Sequence, residues 1–174
     1  DRLRRRGLSL PATLAVATAV AIVAQLALVF RWPVPVWLPW VTIAATGAGP
    51  SAEKARRPAV VEAAGQRVGL ICASDHPQEY AATPEASGIA YADLGRGVPG
   101  WLLEELAALR ERCDLVIAFP HWGPNMTATP ARWQRRVAAA LQQAGADLVA
   151  GHSAHVFHGI EWGERGPVLS DLGD

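Results

Sequence analysis

Three of the chain's five histidines, His152, His155 and His158, lie in the single stretch Ala150-Gly151-His152-Ser153-Ala154-His155-Val156-Phe157-His158-Gly159. A fourth, His121, follows the apolar run Asp114-Leu115-Val116-Ile117-Ala118-Phe119, and the fifth, His76, sits beside Asp75 after Arg67-Val68-Gly69-Leu70-Ile71-Cys72-Ala73. Imidazole is the commonest transition-metal ligand and a standard proton carrier near neutral pH. Two histidines three apart, directly after a glycine at a strand end, are costly to place for packing alone, so His152 and His155 are expected to bind metal. His121 at the end of a neighbouring strand is expected to join them around one ion. On its own, without a motif, His121 reads more readily as a core-edge histidine bonded to backbone. Asp75, His76 and His158 are expected at the substrate edge of the same site, with an Asx-type turn as the plain alternative for Asp75 and His76.

These side chains converge only if particular elements hold them. Residues 58–62 and 67–73 read as two strands joined by a tight turn at Ala64-Gly65-Gln66, the second apolar on both faces and therefore central. Residues 74–97 show little periodicity and are punctuated by Pro77, Pro84, Gly88, Gly95 and Gly97, as a functional loop would be. Residues 99–112 form a helix with Trp101, Leu102, Leu106 and Leu109 inward and Glu104, Glu105, Arg110 and Arg112 toward water. Residues 114–119 are the next buried strand. Thr129 is expected to cap a second helix over 130–144, with Pro130 at its first position, Trp133, Val137 and Leu141 on one face, and Gly145 at its end. A strand over 147–150 leads into the histidine stretch, where Gly151 lets the backbone turn sharply. A hairpin over 159–170 closes the pattern. Helices alternating with strands imply crossovers and an α/β sheet, and side chains at the carboxyl ends of its strands meet.

The remaining composition narrows the function. With 51% hydrophobic and 18% charged residues over 174 positions, the chain supports one domain with a core. Its 16 basic and 16 acidic side chains give no field for nucleic acid. Cys72 and Cys113 read as buried thiols rather than a disulfide. Residues 10–30 carry no charge, and a helix of that length matches a bilayer core. Arg2, Arg4, Arg5 and Arg6 before it would keep the N-terminus cytoplasmic and send the rest outward. A secretory signal and a buried core helix are the competing readings of the same run. Residues 33–50, with four prolines, read as a linker. The chain starts at Asp1 rather than Met and is read as a fragment, divided into residues 1–32, 33–50 and 51–174.

Taken together, Val116-Ile117-Ala118-Phe119-Pro120-His121-Trp122-Gly123, the ending Gln143-Ala144-Gly145-Ala146-Asp147, then Gly151-His152-Ser153-Ala154-His155-Val156-Phe157-His158-Gly159 and Val168-Leu169-Ser170-Asp171-Leu172-Gly173-Asp174 resemble the CapA family of poly-γ-glutamate capsule synthesis proteins. That family is in turn similar to calcineurin-like metallophosphoesterases. The resemblance reaches back to about Gly47. It implies a bacterial capsule-synthesis protein with a sandwich of sheets flanked by helices and a two-ion centre acting on a phosphoryl or polyglutamate substrate. It also implies that His121, His152 and His155 are metal ligands, that His152 is catalytic, that the ions are Mn, Fe or Zn, and that Asp171 and Asp174 accept from the ligand imidazoles. The family's early acidic metal motif, its Asn-Leu-Glu segment and its Asn-His pair have no counterpart here. Three histidines without a bridging carboxylate do not hold two divalent ions, so the centre is expected to be incomplete and the fragment inactive. Residues 1–46 are then either a genuine membrane anchor, placing the domain outside the cytoplasm, or an out-of-frame segment, leaving a cytoplasmic protein. A non-catalytic, membrane-anchored assembly or binding component is the alternative function.

Overall fold

A computed structural model describes residues 46–173, all within one compact unit, Ala44–Asp174. The apolar run over 10–30, most of the proline-rich segment and Asp174 lie outside the described residues. Among the described residues no helix is long and apolar enough to cross a membrane.

The elements are β1 (Ala48–Gly49), α1 (Ala52–Arg56), β2 (Ala59–Ala63), β3 (Gln66–Ser74), β4 (Gly88–Ile89), α2 (Gly100–Arg112), β5 (Leu115–His121), α3 (Arg132–Ala144), β6 (Leu148–Ala150), β7 (Glu161–Trp162) and β8 (Pro167–Leu169). Six of the strands make one mixed sheet in the order β2-β3-β5-β6-β8-β7, and β1 pairs separately with β4. β3, β5, β6 and β8 run parallel, while the hairpin partners β2 and β7 are antiparallel edges. The architecture is thus α/β, a multistrand sheet flanked by helices, as the alternation of elements implies.

The β2–β3 hairpin forms because Ala64 and Gly65 both take positive φ, 53° and 74°, the conformation that a two-residue turn between twisted strands requires. Period-two alternation then sorts β3 and β5 into two faces. Ile71, Ala73, Val116, Ala118, Val149 and Val168 share one cluster with Leu102, Leu106 and Leu109 of α2 and Val137 and Leu141 of α3. Gly69 lets α2 approach: a Cβ there would lie 2.8 Å from Leu109 Cδ2. Val68, Leu70, Leu115, Ile117, Leu148 and Leu169 are buried on the other face.

Several expectations are corrected here. The cap of α3 is Ala131, not Thr129. Alanine has no acceptor to offer, and the buried Gln134 reaches back to the Ala131 amide at 2.8 Å. Arg110 does not face water. Its guanidinium pairs with Asp147 and donates to the carbonyls of Cys113 at 2.6 Å and Asp114 at 3.1 Å. The segment over 74–97 is partly ordered by a 3-10 turn, Gln78–Tyr80, and by β4. No periodicity announces β4, because two residues are too short for a pattern. Cys113 is buried, Cys72 partly so, and both are free.

The Arg110–Asp147 pair ties the end of α2 to the start of β6, and Asp147 also accepts from the Val116 amide at 2.9 Å. Replacing Arg110 by Met leaves a largely buried carboxylate without its cation. The expected loss is about 3 kcal/mol of unfolding free energy, read from urea denaturation, and a change within 0.5 kcal/mol would contradict this role.

Candidate functional site

The carboxyl ends of β3, β5 and β6 stop level with one another. Ser74 is the register partner of His121, and beyond β6 a further parallel bridge pairs His121 with His152. β5 therefore runs through Pro120 to His121 rather than ending at Phe119. His152 N–H donates to Pro120 O at 3.1 Å and Trp122 N–H to His152 O at 3.0 Å, which locks the two histidines side by side. Their Nδ1 atoms are 2.9 Å apart and their ring centroids 4.7 Å. The His76 ring lies against His121 at a 45° tilt, with centroids 4.5 Å apart.

Gly151 is needed at the strand end for space. It is not among the glycines with positive φ. A Cβ there would lie 2.4 Å from both Ser170 O and Trp122 Nε1. Trp122, fully buried, donates its indole N–H to Ser170 O at 2.8 Å, so the floor of the site is a close contact between backbone and indole. The turn comes one step later, with positive φ at Ser153 (136°) and His155 (59°).

Asp171, just beyond β8 and 1% exposed, holds that turn. Its Oδ2 accepts from the Ala154 amide at 2.6 Å and its Oδ1 from the Gly173 amide at 2.9 Å. Its carboxylate is thus used on backbone amides, where the sequence suggests an imidazole partner. His155 is exposed on the turn, close enough for its charge to weigh on His152. His158 lies farther along: Nε2 faces Thr127 O at 2.8 Å, and its Nδ1 is buried without a hydrogen-bond partner among the described residues. Since a carbonyl only accepts, Nε2 is the nitrogen that donates there.

Asp75 and His76 join the group more closely than sequence reasoning foresees. Asp75 Oδ1 meets His76 Nδ1, while Oδ2 accepts from the Gly123 amide at 3.0 Å. His76 Nε2 lies 3.2 Å from Ser153 Oγ. Ser153 and Asn125 were not singled out from sequence, since a serine between two histidines carries no signal of its own.

Both central imidazoles are held neutral. Burial, then the charges of His152 and His76, push His121 down to about 4, against opposing pulls from Asp75 and Asp171. His152 is exposed along one edge, yet surrounding protein lowers its pKa by desolvation. Asp171 opposes that shift, while His155 and His76 add to it. Neutral rings this close need open by only a few tenths of an ångström to take two positions on one ion, for which metal–nitrogen bonds of about 2.0–2.1 Å in tetrahedral geometry place adjacent donors about 3.3 Å apart. The described residues by themselves do not make a two-ion centre. Among the described residues no group of three or more His, Cys, Asp or Glu is disposed to hold a metal.

A histidine whose folded pKa lies below its unfolded value destabilises the fold when protonation is demanded. For His121 the penalty is absent above the ordinary 6.5, grows as pH falls, and is complete below about 4. The urea midpoint of the wild type should therefore fall more steeply than that of His121→Asn between those limits, and parallel profiles would contradict it.

The profile of the family described as "Bacterial capsule synthesis protein PGA_cap" matches residues 38–174. The chain is 32% identical over 95 residues to "PGA biosynthesis protein CapA" of Bacillus subtilis (strain 168), covering 55% of this chain and 24% of that protein. It is 30% identical over 80 residues to "Capsule biosynthesis protein CapA" of Bacillus anthracis, covering 44% and 20%. A "Probable polyglutamine synthesis accessory protein" of Mycobacterium tuberculosis (strain ATCC 25618 / H37Rv) matches at 32% over 143 residues, covering 76% of this chain and 37% of the relative. The chain thus spans well under half the length of these relatives, and by the extent of the family match it belongs to the bacterial capsule synthesis proteins, PGA_cap.

Proposed function

We propose that the chain serves poly-γ-glutamate capsule synthesis, handling a polyglutamate or phosphoryl substrate at a site where His121 and His152 supply part of a divalent-metal position. The observation that carries this reading is the pair of neutral imidazoles with Nδ1 atoms 2.9 Å apart at the ends of adjacent strands. The relatives' names, which speak of PGA, capsule and polyglutamine synthesis, support the process. His155 is the third ligand in this reading, and the ion is Mn, Fe or Zn. Asp75, His76 and His158 border the substrate. His152 is the residue on which hydrolysis of a phosphoester would depend. The sheet with its flanking helices would then be one part of a metallophosphoesterase-like sandwich.

A second reading is favoured by the lack of any three-ligand group among the described residues. In it the chain is a non-catalytic capsule-assembly or binding component, anchored through residues 10–30, with its domain outside the cytoplasm. In this reading the two imidazoles, with no carboxylate to offset the charge of a divalent ion, retain none.

Elemental analysis and calorimetry on residues 47–174 separate the two. The expected result is weak, substoichiometric Zn or Mn binding that His152→Ala abolishes. Tight retention of two equivalents would overturn the incomplete site, and no binding at all would leave only the non-catalytic reading.

A further inference from the structure

Asp75, His76 and Ser153 come from two strand ends and form one continuous chain of contacts. Asp75 Oδ1 meets His76 Nδ1, and His76 Nε2 stands 3.2 Å from Ser153 Oγ. The carboxylate is itself fixed, through its second oxygen, to the Gly123 amide at 3.0 Å. Asp75 thus determines which nitrogen of His76 carries the proton: Nδ1–H points to the carboxylate, and Nε2 turns its lone pair toward the serine. Carboxylate, imidazole and hydroxyl in that order are the arrangement in which a weak oxygen nucleophile becomes reactive, recognised by geometry whatever the order in sequence.

The serine's backbone agrees with that use. Ser153 lies on the first turn after β6 with φ 136°, a conformation uncommon for a residue with a Cβ. Such outliers persist where surrounding structure enforces them, and they gather at active sites. Here the enforcing contacts are the His152 bridge on one side and the Asp171 bond to Ala154 on the other. Ser153 Oγ also lies 2.9 Å from Gly123 O and 3.5 Å from Asn125 Oδ1. The hydroxyl donates its one proton to the Gly123 carbonyl at rest and has to rotate to present it to His76 Nε2. Asn125, exposed at the rim, faces the hydroxyl with Oδ1, an acceptor.

We propose that Ser153 is a nucleophile, His76 its general base and Asp75 the residue that positions His76, forming a site for small acyl or phosphoryl electrophiles that needs no metal. In the step, a bond forms from Ser153 Oγ to the carbonyl carbon or phosphorus. The Oγ proton moves to His76 Nε2, and the bond to the leaving group breaks with its electron pair. His76 then returns the proton to a basic leaving group. Ser153 is only 4% exposed, so the electrophile must be small.

The test uses the whole chain with EDTA present throughout, so that its outcome is independent of any metal, and a small alkyl fluorophosphonate as probe. Attack there forms the Ser153 Oγ–phosphorus bond and expels fluoride. Peptide mass spectrometry should find a single adduct on Ser153. His76→Gln should slow its formation about a hundredfold or more, and Asp75→Glu should retain more of the rate than Asp75→Asn. Because Ser153→Ala also breaks the bond to Gly123, its circular dichroism melt accompanies its expected loss of labelling, and the wild-type adduct map stands without it. No adduct on Ser153 in the folded wild type, or an unchanged rate in folded His76→Gln, would overturn the proposal.

Discussion

The parallel register that sets Ser74, His121 and His152 abreast is the constraint on which the site rests. Parallel strands deliver their carboxyl ends to one edge of the sheet, and here three of them end level at residues that titrate or neighbour residues that do. A one-residue slip of β5 against β3 would turn His121 to the helix-packed face and bring Trp122 or Pro120 to its place. The helices pack directly on the strands that hold this register. Gly69 admits Leu109 of α2 against β3, and Arg110 binds Asp147 at the start of β6.

Electrostatics follows from this placement. Burial disfavours charge, and crowded imidazoles add to it by repelling one another's protons, so His121 and His152 arrive with lone pairs available. The nearby carboxylates are spent on holding the structure. Asp171 holds the turn amides, and Asp75 is divided between His76 and Gly123. That allocation explains why the edge is rich in nitrogen donors and poor in free carboxylate, the chemical reason a pair of divalent ions finds no bridge among the described residues.

Much of the scaffold was legible in the sequence because its signals are local. The apolar runs around Val116 and Leu70, the stripe Leu102, Leu106 and Leu109, and the glycine after Ala144 each declare an element without reference to distant residues. The cap of α3 and the burial of Arg110 were not legible, since both depend on partners that tertiary packing supplies: Gln134 folding back, and Asp147 approaching from another element. At the site, the meeting of His121 with His152 was readable from strand ends. The Asp75–His76–Ser153 chain was not, because it joins positions 77 apart in sequence through a turn whose φ values no composition announces.

Gly151 carries a consequence of its own. With Ser170 O and the Trp122 indole nitrogen each 2.4 Å from where a Cβ would stand, the gap between β6, β8 and the tryptophan is gauged by a hydrogen atom. The edge that carries His152 thus has no slack beneath it. Selection could exchange the side chains above that floor, trading ligand for nucleophile or for neither, while the platform presenting them kept its dimensions.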